Sequence, residues 1–205
     1  MPGNAQQIIK KMKIFLAQQN YHIGHFEHNT ARILEAIDQA RANGGDLVVF
    51  SELCVCGYPP RDFLQFDDFI QKCEKAVETI RKASKGISVL VGVPIRNTSG
   101  HGKALHNSAL LIEDEKIMAA VHKTCLPNYD VFDENRYFEP ASSWQVISWK
   151  GINLAITICE DIWNLGDHPL YAVCPMDKMI ENRPDLMINL SASPFDYTHV
   201  EERRR

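Results

Sequence analysis

Residues 13 to 50 narrow the fold more than any other stretch. "KIFLAQ" (13–18) is an apolar run of strand length, and "DLVVF" (46–50) is another. Between them "TARILEAIDQARANGG" spaces Ile33, Leu34, Ile37 and Ala40 along one helical face. Asn29 is the expected N-cap, and Gly44-Gly45 ends the helix where a left-handed residue is cheap. Strand, crossover helix and strand form a βαβ unit, which pairs its strands in parallel through a right-handed connection.

A helix over 69–85 turns Phe69, Cys73, Val77 and Ile80 inward, and "SVLVGVPI" (88–95) is the next strand. "SALLIE" and "KIMAAVH" flank Asp114-Glu115 as a hairpin; "WQVISW" and "INLAITI" flank Lys150-Gly151 as another. A helix is expected from near Pro169 to about Asn182, kinked at Pro175, followed by the strand "DLMINL". Hairpins together with helical crossovers predict an α/β fold with a mixed sheet and helices packed on it.

With 205 residues, 45% hydrophobic and 23% charged, the chain suits one compact soluble domain or a large piece of one. Its 22 basic and 26 acidic residues, net −4, leave no broad positive face for nucleic acid. The first dozen residues lack the apolar centre of a signal peptide, and nothing approaches the roughly 18 apolar residues of a membrane span. A cytoplasmic chain without membrane contact is expected. Six cysteines without a CxxC pair read as free thiols. His22, His25 and His28 match no common ligand spacing, so no metal is expected there. No GxGxxG or Walker loop occurs, so no bound nucleotide is expected.

Three apolar runs end on a reactive group: "LVVFSE" on Glu52, "IMAAVHK" on Lys123, "LAITIC" on Cys159. If the three strands neighbour one another in one sheet, these groups converge. Lys123 would then offset the carboxylates beside Cys159 and favour the thiolate, Glu52 would be the general base, and Lys123 with a backbone N–H near Glu160 would receive an oxyanion. The chemistry is acyl transfer through a thioester. His122 and Lys123, adjacent on a strand, point to opposite faces, so both cannot aim at Cys159. Taken singly, each residue has a plainer reading: Cys159 as core filler, Lys123 at the surface, Glu52 as a helix cap.

With these residues in view, the chain resembles the nitrilase superfamily and, within it, the glutaminase domains of glutamine-dependent NAD synthetases. The resemblance runs from about Lys13 to the last residue and rests on "VVFSELCVCGYPPRDFL", "VHKTCLPNYDVFDENRYFEP", "ITICEDIW" and "NLSASPF" in that order. It implies a four-layer α-β-β-α sandwich of two mixed sheets. It implies Glu52 as base, Lys123 as oxyanion stabiliser, Cys159 as nucleophile and Glu134 as the carboxylate that orients the lysine. Tyr58, Tyr129, Glu160 and Ser193 would line a glutamine pocket, with Glu160 on the substrate ammonium; as residues alone, Glu160 also reads as a structural carboxylate bonded to backbone, and the tyrosines as core aromatics. Arg61 departs from the pattern and is given no role. His199 or a following arginine could meet the substrate carboxylate.

By the same resemblance residues 1–205 are one glutaminase domain lacking its C-terminal part. The activity implied is hydrolysis of the L-glutamine side-chain amide, with ammonia passed to a synthetase domain of the same polypeptide, absent here, that amidates nicotinic acid adenine dinucleotide. ATP and magnesium belong to that domain, and a homo-oligomer is expected. Without the flanking motifs the triad would fit a free-standing amidase or carbamoylase, and a non-catalytic assembly module with the same fold is the other alternative.

Overall fold

The computed structural model describes residues 11–164, 170–194 and 197. The βαβ unit is β1 (Ile14–Leu16), α1 (Phe26–Ala42) and β2 (Leu47–Val49), with β1 and β2 parallel. Helix α1 starts at Phe26, three residues before the expected cap. Asn29 is buried inside the first turn, where its amide accepts from the His22 N–H and donates to the carbonyls of His22 and Val55. Those long-range bonds outbid capping for the side chain. At the other end Gly44 takes a φ of +70°, as the sequence requires.

Helix α2 (Asp67–Ala83) carries the chain to β3 (Ser88–Arg96), which runs parallel to β2. Then β4 (Leu105–Glu113) and β5 (Lys116–His122) add antiparallel, joined at Asp114-Glu115. Both hairpin tips have positive φ at both central residues, the geometry whose twist matches paired strands: 43° and 61° at Asp114-Glu115, 47° and 85° at Lys150-Gly151. The second tip joins β6 (Val146–Trp149) to β7 (Ile152–Ile158). Helix α3 (Pro175–Ile180) crosses over to β8 (Leu186–Leu190), parallel to β7. Pro169 lies outside the described residues, and residues 170–174 are not helical. Pro175 opens α3 rather than kinking it, because a first-turn residue needs no N–H partner.

Two mixed sheets result, β1-β2-β3-β4-β5 and β6-β7-β8. Strand alternation shares side chains between two cores. Val48, Val89, Val91, Leu110 and Ile112 pack under α1 and α2, against Ile33, Ile37, Cys73 and Ile80. Leu47, Val49, Leu90 and Leu111 face the other way, onto Leu154, Ile156, Ile158 and Leu190 of the second sheet. This is why β2 and β3 read as unbroken apolar runs: both faces are covered. The architecture is an α/β sandwich of the nitrilase type. The six cysteines are free, and among the described residues no helix is long and apolar enough to cross a membrane.

Candidate active site

Glu52 leaves the end of β2 on a segment that crosses Gly92 of β3. A Cβ at Gly92 would stand 2.5 Å from the Leu53 nitrogen, 2.6 Å from the Ser51 oxygen and 2.8 Å from the Glu52 Cα. Only hydrogen at that position lets the carboxylate-bearing segment lie so close to the sheet. Glu52 is 1% exposed; its Oε1 accepts from Asn107 Nδ2 at 2.8 Å, and its Oε2 from the Ala192 N–H at 3.2 Å.

Lys123 follows β5 and is equally buried. Its Nζ lies 2.8 Å from Glu52 Oε1 and 2.8 Å from each carboxylate oxygen of Glu134, which begins a short 3-10 turn (Glu134–Arg136). The Tyr58 hydroxyl donates to Glu134 Oε1 at 2.8 Å. Burial alone would lower the ammonium's pKa, but Glu52, Glu134 and Cys159 outweigh it and hold Lys123 charged. Glu134 is raised, by burial first and by Glu52 second, against the pull of Lys123.

Cys159 sits at the end of β7, in the second sheet, with φ at 44°. A left-handed conformation at a non-glycine residue costs on the order of 1–3 kcal/mol and is a mark of reactive sites. Its carbonyl accepts from Asn189 Nδ2 at 3.3 Å, and its Sγ lies 3.5 Å from Ser193 Oγ. Asp161 ties this elbow to the lysine's strand end: Oδ1 accepts the Thr124 and Cys125 N–H groups at 2.9 and 2.8 Å, while Oδ2 accepts that of Ile158 at 3.0 Å. Burial and then Glu52 push the Cys159 thiol up to about 12, against Lys123 and Ser193. Burial and the neighbouring carboxylate thus favour the thiol over the thiolate.

Beside Cys159, Glu160 is buried, and its Oε1 accepts from Tyr129 at 2.8 Å and Tyr171 at 3.2 Å. A cleft of about 710 Å³ reaches Glu52, Tyr58, Asn189 and Ser193 from the β1 side. A buried base paired with an ammonium, next to a strained thiol, is suited to acyl transfer. Residues 13–166 match the carbon-nitrogen hydrolase family. The chain belongs to that family.

This carbon-nitrogen hydrolase is 40% identical over 189 residues to a glutamine-dependent NAD(+) synthetase of Synechocystis sp., covering 89% of this chain and 34% of that protein. The corresponding protein of Xanthomonas campestris is 36% identical, with 90% and 32% covered. The solved glutamine-dependent NAD+ synthetase of Acinetobacter baumannii superposes with a TM-score of 0.84 at 30% identity, over 94% of this chain and 34% of that one. An amidase from Nesterenkonia sp. AN1 shares the fold, with a TM-score of 0.78 at 21% identity, over 93% of this chain and 70% of that one. The chain spans about a third of the length of the synthetases it matches.

Within this carbon-nitrogen hydrolase Glu52, Lys123, Glu134 and Cys159 meet, but not as neighbours in one sheet. Glu52 and Lys123 end strands of the first sheet and Cys159 ends a strand of the second, so the site forms across the sandwich. The expected pull of Lys123 toward the thiolate is present, but burial and Glu52 outweigh it. Lys123 is already engaged by two carboxylates, and burial first and Glu52 second hold the proton on sulfur. Tyr58 directs its hydroxyl to Glu134, Tyr129 to Glu160, and Ser193 touches the sulfur. The backbone-bonded carboxylate is Asp161 rather than Glu160. His122 turns away from the site, stacked on His106 at 4.1 Å and bonded to Ser108 Oγ. His22, His25 and His28 bring their rings within 6.4 Å, yet among the described residues no group of three is placed to hold a metal. His199 and the terminal arginines lie outside the described residues. Asn107 and Tyr171 carry no visible signal in the sequence, and Asp161 shows there only as an acid beside Cys159 in "CEDIW", not as the tie to the lysine's strand end.

Proposed function

We propose that this chain is the glutaminase part of a glutamine-dependent NAD synthetase, hydrolysing the side-chain amide of L-glutamine through a thioester on Cys159. Glu52 takes the thiol proton as sulfur attacks the amide carbon. The oxyanion is received by Lys123 and a backbone N–H following Cys159. The C–N bond breaks, Glu52 returns the proton to the departing nitrogen, and ammonia leaves. Water, deprotonated by Glu52, then attacks the thioester; glutamate departs and the sulfur is reprotonated. Glu160, steadied by two tyrosines, meets the substrate ammonium, and Tyr58 holds Glu134 so that Glu134 holds the lysine. The ammonia passes to an ATP- and magnesium-dependent synthetase domain of the same polypeptide, which amidates nicotinic acid adenine dinucleotide.

The observation that carries this reading is the buried Lys123 ammonium, 2.8 Å from both Glu52 and Glu134. Structural ion pairs at such depth are costly, since each buried ion forfeits several kcal/mol of hydration. Keeping a second carboxylate on one lysine goes further than pairing requires and fits a site where one carboxylate must exchange protons. The likeness to glutamine-dependent NAD synthetases supports glutamine over other small amides. The test is glutamine hydrolysis by the complete natural polypeptide with Cys159→Ala. Turnover is expected to fall by about three orders of magnitude or more, and turnover equal to the parent's removes the reading.

A further inference from the structure

We propose that Asn107 is a positioning residue whose side-chain amide, donating to both Glu52 and Glu134, holds the two carboxylates around a single lysine and so sets how far into the acid range the site works. This rests on Glu52 acting as the general base.

Asn107 lies on β4, 1% exposed, between the two carboxylates. Its Nδ2 donates to Glu52 Oε1 at 2.8 Å and to Glu134 Oε2 at 3.3 Å. Its own carbonyl accepts the Lys123 N–H at 2.8 Å, so one residue aligns both carboxylates and the lysine's backbone. Two buried carboxylates this near a shared ammonium tend to take up a proton between them. The ammonium offsets one of the two negative charges, and a neutral double donor steadies the pair without adding a second cation that would draw the proton-accepting electrons away from Glu52. A second lysine would spoil the base; an amide does not.

The amide's orientation is determined by its neighbours, because ionised carboxylates only accept. Turned over, it would aim its oxygen at two anions. That orientation leaves Asn107 Oδ1 buried with no hydrogen-bond partner among the described residues. An unmade bond to a buried acceptor is a cost that an apolar residue of the same shape would avoid. The fold bears it where the donor side is needed.

The experiment compares Asn107→Leu and Asn107→Ser with the parent in the complete natural polypeptide. Leucine removes both donors at similar volume; serine adds no bulk and is too short to bridge the pair. In glutamine hydrolysis the acid limb of kcat/KM is expected to move up by about one pH unit, an effect of about tenfold on that limb, with a smaller loss on the plateau. A second readout needs no substrate: urea unfolding of parent and variants at about pH 5 and about pH 8. Asn107 stabilises the charged carboxylates, so removing it should weaken folding about tenfold more at the higher pH. A folded variant with an unmoved limb and a pH-independent loss of stability overturns the proposal. A parent that does not hydrolyse glutamine, with the pH-dependent loss still present, removes the substrate assignment and leaves Asn107 in its role.

Discussion

At Cys159 two demands conflict. As the proposed nucleophile the sulfur would have to lose a proton to attack, yet burial and Glu52 hold that proton on, up to about 12. In the proposed mechanism Glu52 resolves the conflict by being both the charge that disfavours the thiolate and the acceptor that takes its proton, so deprotonation would wait for a substrate carbon to accept the electron pair. The two duties separate in Glu52→Gln. Amide turnover is expected to fall by about 10²–10⁴-fold for loss of the base. Alkylation of Cys159 by iodoacetamide near pH 9 should instead speed up, because a negative neighbour has gone and the thiol's pKa falls. Slower alkylation in the folded variant would mean that Glu52 acts on the sulfur only as a base. Asp161 is the quieter residue of the site. It touches no reacting atom, yet its three backbone bonds join the elbow of Cys159 to the residues after Lys123.

Among the elements, β3 and β5 show how a strand serves the site without contributing a reactive group at its own centre. Gly92 of β3 is a missing side chain on which the Glu52 segment rests. Gly92→Ala presses a methyl group onto backbone at 2.5–2.8 Å, which cannot rotate away. A loss of about 1–3 kcal/mol in stability is expected from urea unfolding. Turnover should fall by about tenfold or more, since displacing a catalytic carboxylate by about 1 Å is enough to do so. At the end of β5, alternation sends Lys123, just past the strand, into the site and the half-buried His122 to the opposite side. Burial, and then His106, lower the His122 pKa to about 4. An unfolded histidine titrates near about 6.5, so between those values the unfolded chain binds a proton that the folded chain does not. The contribution is therefore full above about pH 6.5 and is lost as pH falls toward about 4. The urea midpoint should drop across that window, and His122→Phe should flatten this part of the drop; an unchanged slope would assign it to other groups.

At the scale of the molecule the site exists because two sheets face each other. Leu154 on β7 and Leu111 on β4 are buried in the layer between them. Leu154→Ala should cost about 2–5 kcal/mol in urea unfolding. It should also lower amide turnover although Leu154 lies on β7 five positions before Cys159, because the cavity loosens the register between the Lys123 end and the Cys159 end. Full turnover in a destabilised variant would show that Asp161 alone holds that register. Residues 13–50 already implied the βαβ unit, the two hairpins and the order of Glu52, Lys123 and Cys159 were legible further along, and the flanking motifs carried the family. Those features live in spacing along the chain: periodicities of two and 3.6 and the conformational preferences of turn residues operate over a few positions. Left to the tertiary structure were the split of the strands between two sheets, the start of α1, the proton on Cys159 and the bridging by Asn107. Each is a matter of which distant groups become neighbours once water is removed, and desolvation depends on the whole packed surroundings rather than on any segment.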